Sequence, residues 1–239
     1  MVPDKIYHIN LGLTDFKETW DLQKKILEFK KKNNSADVLL TTEHENVYTL
    51  GRSGDKNHLL MNDRELKDNK ISFYEIDRGG DLTYHGPGQL VCYPVFDLNN
   101  YFKDTHMYLR ALEETVILTL KEYGIEAGRD EEYTGVWIGE EKICAIGIKV
   151  SGWITMHGLA FNVNNDLSYF KNIIPCGIFH KGVTSVEKIN PPITAIPIGL
   201  HSSEPDPLLI ASGNIPRMVV AEVIITGLRR DRPERAIAS

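Results

Sequence analysis

Polar and apolar positions follow two different periods along the chain. From Asp15 to Lys32 they repeat at helical spacing: Phe16, Trp20, Gln23 and Leu27 mark one stripe, with Leu22, Ile26 and Phe29 beside it. Asp15 followed by Glu18 reads as a capping box, and Asn33-Asn34-Ser35 ends the run. Lys30, Lys31 and Lys32 fall in the last turn, where the helix dipole favours cations, and are expected to be solvated. A second helix is expected from Asp104 to Tyr123, burying Met107, Ala111, Leu112, Thr115, Val116, Leu118 and Tyr123, with Gly124 as its stop. Short β-like runs lie between the helices at Val38–Thr42, Val47–Leu50, Phe73–Ile76 and Leu90–Phe96. Three more follow at Gly135–Ile138, Lys142–Val150 and Trp153–Val163, with turns at Gly139-Glu140-Glu141 and Ser151-Gly152. A β-rich, helix, β-rich order without regular βα alternation predicts an α+β domain with a mixed, largely antiparallel sheet packed with helices.

Composition narrows this picture. The 239 residues are 42% hydrophobic and 25% charged, with a formal net charge of −6, as expected of a globular chain able to build its own core. The acidic balance argues against a general grip on nucleic acid. No apolar run is long enough for a membrane span, and the first residues lack the order of a signal peptide. Three separated cysteines, Cys92, Cys144 and Cys176, form neither a disulfide framework nor a metal motif. A reducing, cytoplasmic setting is expected, with no metal or cofactor.

Chemistry concentrates in four places. The densest is Arg78-Gly79-Gly80-Asp81-Leu82-Thr83-Tyr84-His85-Gly86-Pro87-Gly88-Gln89, where four of twelve residues are glycine. Glycine lets backbone N–H groups approach a ligand closely, and the polar tips add recognition. The phosphate-loop pattern is absent. Cys92 and Cys144 lie in apolar strands and read as buried hydrophobes. Cys176 differs: Pro175 and Gly177 flank it in a tight loop that suits a presented thiolate. Lys142 opens a strand, and His157 and Asn162 share another. On paper Cys176, His157 and Asn162 could also assemble a cysteine hydrolase.

Taken in order, RGGDLTYHGPGQLVCYP, GVWIGEEKICAIGIKV, WITMHGLAFNVNNDLSYF and IIPCGI…VTSVEK closely resemble the octanoyltransferase family of lipoate biosynthesis, over roughly Ile6 to Lys188. The resemblance implies the catalytic-domain fold of the biotin and lipoate protein ligases. It implies an octanoyl (or lipoyl) group passing from acyl carrier protein to a lysine of an acceptor domain, through a thioester on Cys176. Lys142 matches the lysine placed beside that cysteine. Arg78, Gly79, Gly80, Asp81, Leu82, Thr83, Tyr84 and His85 match the substrate-binding loop. Ala145, Ile146 and Gly147, with Gly158, Leu159 and Ala160, match two segments lining the acyl pocket, and His157 and Asn162 are supporting candidates. Ile143, Ile146 and Leu159 are wall candidates. The implied partners are octanoyl-acyl carrier protein, the lipoyl domains of 2-oxoacid dehydrogenase complexes and the glycine-cleavage carrier protein; one copy of the chain suffices. A basic docking patch for the acidic carrier is expected at Lys30–Lys32 or at Lys171 and Lys181. The alternatives are an ATP-dependent lipoate-protein ligase of the same fold and a non-catalytic carrier-binding module.

The pattern changes near residue 190. Residues 190–239 contain seven prolines and five arginines but no lysine and no aromatic residue. Residues 1–189 therefore read as the catalytic domain. The remainder reads as an atypical tail, by our expectation a shifted reading frame or other non-native extension, with helix confined to Arg217–Gly227 by the helix-breaking prolines.

Overall fold

The computed structural model describes residues 5–33, 35–174 and 181–190. Its spine is a seven-stranded mixed sheet in the order β1 (Ile6–Thr14), β2 (Asp37–His44), β6 (Gln89–Val95), β9 (Ile154–Asn162), β8 (Glu141–Ser151) and β10 (Gly182–Val183), with β7 (Val136–Ile138) also paired to β8. The four central strands run antiparallel to their neighbours, while β1 and β10 join in parallel. A second, three-stranded sheet has the order β4 (Ser72–Glu75), β3 (Val47–Leu50) and β5 (Leu82–His85).

Strand alternation gives the large sheet two buried faces. Leu90, Cys92, Leu159 and Phe161 turn towards α3 (Thr105–Glu122) and form the main core with Tyr108, Leu112, Val116 and Leu120. Leu40, Val91, Tyr93 and Ala160 turn the other way, towards α1 (Phe16–Lys32), where Leu22 and Ile26 pack on them. The small sheet carries its own core of Tyr48, Leu50, Leu82, Tyr84 and Phe170. Two short α-helices, α2 (Asp63–Asp68) and α4 (Val186–Ile189), and three short 3₁₀ helices also occur among the described residues. No described helix is long and apolar enough to cross a membrane.

Both long helices occur where the periodicity predicts them. Asp15 caps α1 by accepting from the Glu18 amide, and Gly124 follows α3 with φ +69. The buried faces need correction. Met107 and Leu118 are exposed, and Tyr108, Glu113, Thr119 and Leu120 are buried in α3 beside Ala111, Leu112, Thr115 and Val116. Glu113 tolerates burial because Arg110, Arg129 and the Gly135 amide all donate to it. Phe29 of α1 is 58% exposed, whereas Lys30 is buried. The Lys30 ammonium pairs with Asp37 at 2.8 Å and donates to the carbonyls of Ser35 and Ala36. It is a structural strut at the start of β2, not part of a solvated basic patch.

Three strands escape the hydrophobic pattern, among them β10, whose two residues are too few to show one. The sheet-edge strand β1 is mostly exposed or half-buried on both faces, which leaves no alternation to read. β5 lies inside the segment predicted as one twelve-residue loop. Leu82, Thr83, Tyr84 and His85 are instead fully paired with β3, and the true turn is Gly86–Gly88, closed by Gly88 at φ +82. Cys176 and residues 191–239, including the expected helix at Arg217–Gly227, lie outside the described residues.

Candidate functional site

The two sheets meet along a cavity of about 400 Å³. Val91 and Tyr93 of β6 and His157, Gly158, Leu159 and Ala160 of β9 form its floor, with Ala145, Ile146 and Gly147 of β8 beside them. Thr83 and His85 come from β5, Phe16 from α1, and Arg78, Gly80 and Asp81 from the glycine-rich loop. The two segments singled out in sequence are cross-strand partners: Ala145 faces Ala160, Ile146 faces Leu159 and Gly147 faces Gly158. Small residues at four of these six positions leave room above the sheet. A Cβ on Gly147 would stand 2.9 Å from both Arg78 Cδ and the Gly79 carbonyl oxygen, so glycine is what lets the loop lie down on β8.

Arg78 bolts the seam. Its guanidinium donates to the carbonyls of Thr49 (2.7 Å), Asp81 (2.8 Å) and Gly79 (3.0 Å), and to Thr49 Oγ1. The Gly79 amide donates across to the Ile148 carbonyl of β8. Arg78 thus fixes the loop to the small sheet while the loop's backbone holds the large one. Of the expected loop residues, Arg78, Gly80, Asp81, Thr83 and His85 line the cavity. Leu82 and Tyr84 belong to the small sheet's core, because successive strand residues face opposite ways. Gly79 contributes its backbone link. Ile143 lies in the α3 core, and Ile146 and Leu159 reach both that core and the cavity.

Three imidazoles line the cavity, each held by different partners. His85 is fully buried, and desolvation holds its pKa down at about 3, so the ring is neutral. It lies parallel to Phe16 and bonds Gln89 Oε1 at 2.8 Å. The Gln89 amide then donates to Asn162 Oδ1, whose own amide donates to the Thr184 carbonyl. Asn162 therefore stands behind the cavity and braces β10. His157 adopts φ +60, a left-handed conformation that costs a non-glycine residue about 1–3 kcal/mol and clusters at functional sites. The twist sends its amide to Gln23 Oε1 of α1, at 2.8 Å. Its Nε2 bonds Asp77 at 2.9 Å, and Lys149 pairs with the other carboxylate oxygen. Burial lowers the His157 pKa against the pull of Asp77, while His157 and Lys149 hold the Asp77 carboxyl well below its usual range. We read His157 as a neutral donor to Asp77, with Lys149 supplying the charge. His157 bonds Asp77 while Asn162 bonds Gln89 and Thr184, so the paper cysteine-hydrolase pairing of these two residues is not what the fold builds.

His58 is the third, and sequence reasoning passed over it. Its Nδ1 lies 2.5 Å from Asp81 Oδ2. Its only sequence signal is position, in a glycine-containing turn four residues after Gly54.

Lys142 is buried at the rim, with its ammonium 4.6 Å from the Trp137 ring centroid. Its carbonyl accepts from the Thr184 amide, and β10 pairs Val183 with it. Lys181, with its ammonium 5.0 Å from the centroid of the same indole, pairs with Asp130 (2.5 Å) and Glu140 (3.1 Å), which raises its pKa and neutralises it as a docking charge. The Cys92 thiol is buried, with its pKa pushed up to about 12, and the Cys144 pKa is also driven up by burial, so both are inert near neutral pH. Cys176 has described neighbours on both sides: the Ile174 amide donates to the His58 carbonyl, and the Gly182 amide to that of Glu140. No group of three or more potential metal ligands occurs among the described residues.

The family described as the lipoyl protein ligase A/B catalytic domain matches residues 15–197. An octanoyltransferase of Flavobacterium johnsoniae is 53% identical over 198 residues, covering 76% of this chain and 85% of its own. Among solved structures, a putative lipoate protein ligase from T. acidophilum superposes with a TM-score of 0.62 at 16% identity, covering 93% of this chain and 83% of that one. The biotin protein ligase of Aquifex aeolicus, with biotin and ATP, reaches 0.51 at 16%, covering 93% of this chain and 70% of that one. Likeness at that identity establishes the shared fold, and the closer sequence match narrows the assignment. The chain is an acyltransferase that belongs to the octanoyltransferase family, within the lipoyl protein ligase A/B catalytic-domain superfamily.

Proposed function

We propose that the protein transfers an octanoyl group from acyl carrier protein to a lysine of a lipoyl domain, with Cys176 as the intermediate acyl carrier. The observation that carries this reading is the seam cavity, floored by paired small residues of β8 and β9 and rimmed by Lys142. An octanoyl chain offers six methylenes and a methyl. At about 0.8 kcal/mol each, their burial is worth about 5–6 kcal/mol, and one methylene changes affinity about fourfold.

In this reading the Lys142 charge favours the Cys176 thiolate. The thiolate attacks the carrier thioester, the carrier sulfur leaves, and the acyl group rests on Cys176. The acceptor amine then attacks and the cysteine sulfur leaves, with Lys142 a candidate base when neutral. Exchange between thioesters is nearly balanced and amide formation runs downhill, so the scheme requires no ATP, metal or organic cofactor. The acceptors are the lipoyl domains of 2-oxoacid dehydrogenase complexes and the glycine-cleavage carrier protein.

The test is intact-mass spectrometry of the protein mixed with octanoyl-acyl carrier protein and no acceptor. An adduct of octanoyl mass on Cys176, discharged to amide when a lipoyl domain is added, is expected. Transfer that needs ATP and survives Cys176→Ser would sink the reading in favour of a ligase.

A further inference from the structure

We propose that Phe16 sets acyl-chain length, its ring closing the buried end of the seam cavity against the methyl end of an octanoyl tail. The inference rests on the acyl-transfer reading above and adds a specificity determinant to it. The cavity lining changes from exposed to buried along its length. Ser53, Gly80, Glu132 and Thr134 are exposed. Lys142 stands beside Thr134, since a Cβ on neighbouring Gly135 would come within 3.4 Å of the Lys142 stem. Phe16, Ile76, Val91 and Ala160, all apolar, are at most 7% exposed. Carrier and acceptor are proteins and must deliver their reacting groups at the exposed end, so the apolar tail points to the buried one.

Sheet order gives the slot its length. Phe16 packs edge-on against His44 of β2, with 5.2 Å between ring centroids, and His44 bonds the Tyr93 hydroxyl of β6 at 2.7 Å. Lys142 belongs to β8, on the other side of β9. From β8 to β6 is two strand spacings, about 10 Å. An extended chain advances about 3.5 Å for every three bonds, so the carbon–carbon bonds of an octanoyl group span about 8 Å, and two more methylenes add about 2 Å. Octanoyl therefore fits between the two ends and a decanoyl tail runs into the ring. The flank of the cavity at Gly147 is covered by the Arg78 side chain and the Gly79 carbonyl, a polar cap rather than an apolar end wall.

The ring is built as a fixed wall. Asp15 caps α1 by accepting from the Glu18 amide, which fixes Phe16 as the first residue of the helix. The rings of His85 (6.0 Å, 7°) and Tyr74 (5.7 Å, 25°) lie nearly parallel to it, and Val47 and Ile76 complete its packing. These neighbours meet it through side chains. Shortening Phe16 therefore deepens the cavity towards His44 and Tyr74 and leaves the strand pairing intact.

The test measures kcat/KM for octanoyl- and decanoyl-acyl carrier protein, with a lipoyl domain as acceptor, in wild type, Phe16→Leu, Phe16→Ala and Phe96→Leu, with thermal melts to confirm folding. Wild-type octanoyl transfer establishes the reaction first, so an unmoved chain-length preference overturns this proposal alone. Wild type should favour octanoyl. Phe16→Leu frees room for about one methylene and should raise the decanoyl-to-octanoyl ratio about fourfold; Phe16→Ala frees more and should raise it about tenfold or more. Phe16→Leu is the mild truncation that decides the matter where Phe16→Ala melts too low to assay. Phe96 is a buried phenylalanine of the α3 core that does not line the cavity, so Phe96→Leu controls for a loosened interior and should keep the wild-type ratio. A wild-type ratio in folded Phe16→Leu, or an equal rise in Phe96→Leu, would show that Phe16 is not the stop and overturn the proposal.

Discussion

Removing the Lys30 charge should reveal how much of the large sheet's outer half hangs on one ammonium. Its three acceptors are Asp37 Oδ1 at 2.8 Å and the carbonyls of Ser35 and Ala36 at 2.9 and 3.0 Å. The two charged side chains are only 2% and 0% exposed. Lys30→Met keeps most of the aliphatic stem, so packing is largely preserved. What is lost is the counter-charge of a carboxylate that still holds the Asp97 amide and the Tyr101 hydroxyl. Breaking a buried pair by removing one partner costs about 3–5 kcal/mol. For a domain of this size that is a fall in Tm of about 6–20 °C. Neighbouring Lys31 pairs with Glu28 on the surface, so Lys31→Met should stay within about 0.5 kcal/mol. Urea titrations of both variants make the comparison, with the midpoint expected to move for Lys30→Met alone. Equal midpoints would refute the claim that this ammonium is a buried strut.

Three other perturbations probe the cavity and its surroundings. Gly147→Ala forces a methyl to within 2.9 Å of Arg78 Cδ and the Gly79 carbonyl, so transfer should fall while stability drops by about 1–3 kcal/mol; unchanged turnover would mean the loop is free to lift. Lys142→Ala should slow iodoacetamide labelling of Cys176 near neutral pH, and equal labelling would remove Lys142 from thiol activation. His44 and His85 have folded pKa values of about 4 and about 3, below the unfolded value of about 6.5. The unfolded chain therefore binds more protons between those limits. Stability should fall as pH drops below about 6.5, by up to about 1.4 kcal/mol per unit for each ring. Identical urea midpoints at pH 7 and pH 5 would contradict their burial as neutral groups.

The helices and the central strands were legible because burial on one face stamps a period on the sequence. Val47–Leu50 is recovered to the residue, and the other predicted strands within two residues at each end. β1 left no such stamp, since an edge strand with half-buried faces has little to alternate. In the glycine-rich segment, turn residues at both ends masked the four-residue strand between them. Lys30 was misplaced because a dipole argument sees only the helix, while its partner Asp37 arrives from the next element. For the site, short motifs pointed to residues that come together in space, including the facing segments of β8 and β9. His58 stayed hidden because its partner Asp81 lies 23 residues away. Only the folded chain joins the turn after β3 to the start of β5.

The cavity lies on a seam between two sheets that are each cored independently, one under α3 and one around Tyr48 and Tyr84. Part of its wall is therefore drawn from positions that belong to neither core, such as Ser53 and Thr83. Substitutions there can reshape what the pocket accepts while both hydrophobic clusters keep their packing. On the proposed acyl-transfer reading, this architecture gives selection a place to retune chain preference gradually, with the scaffold's stability left largely out of the trade.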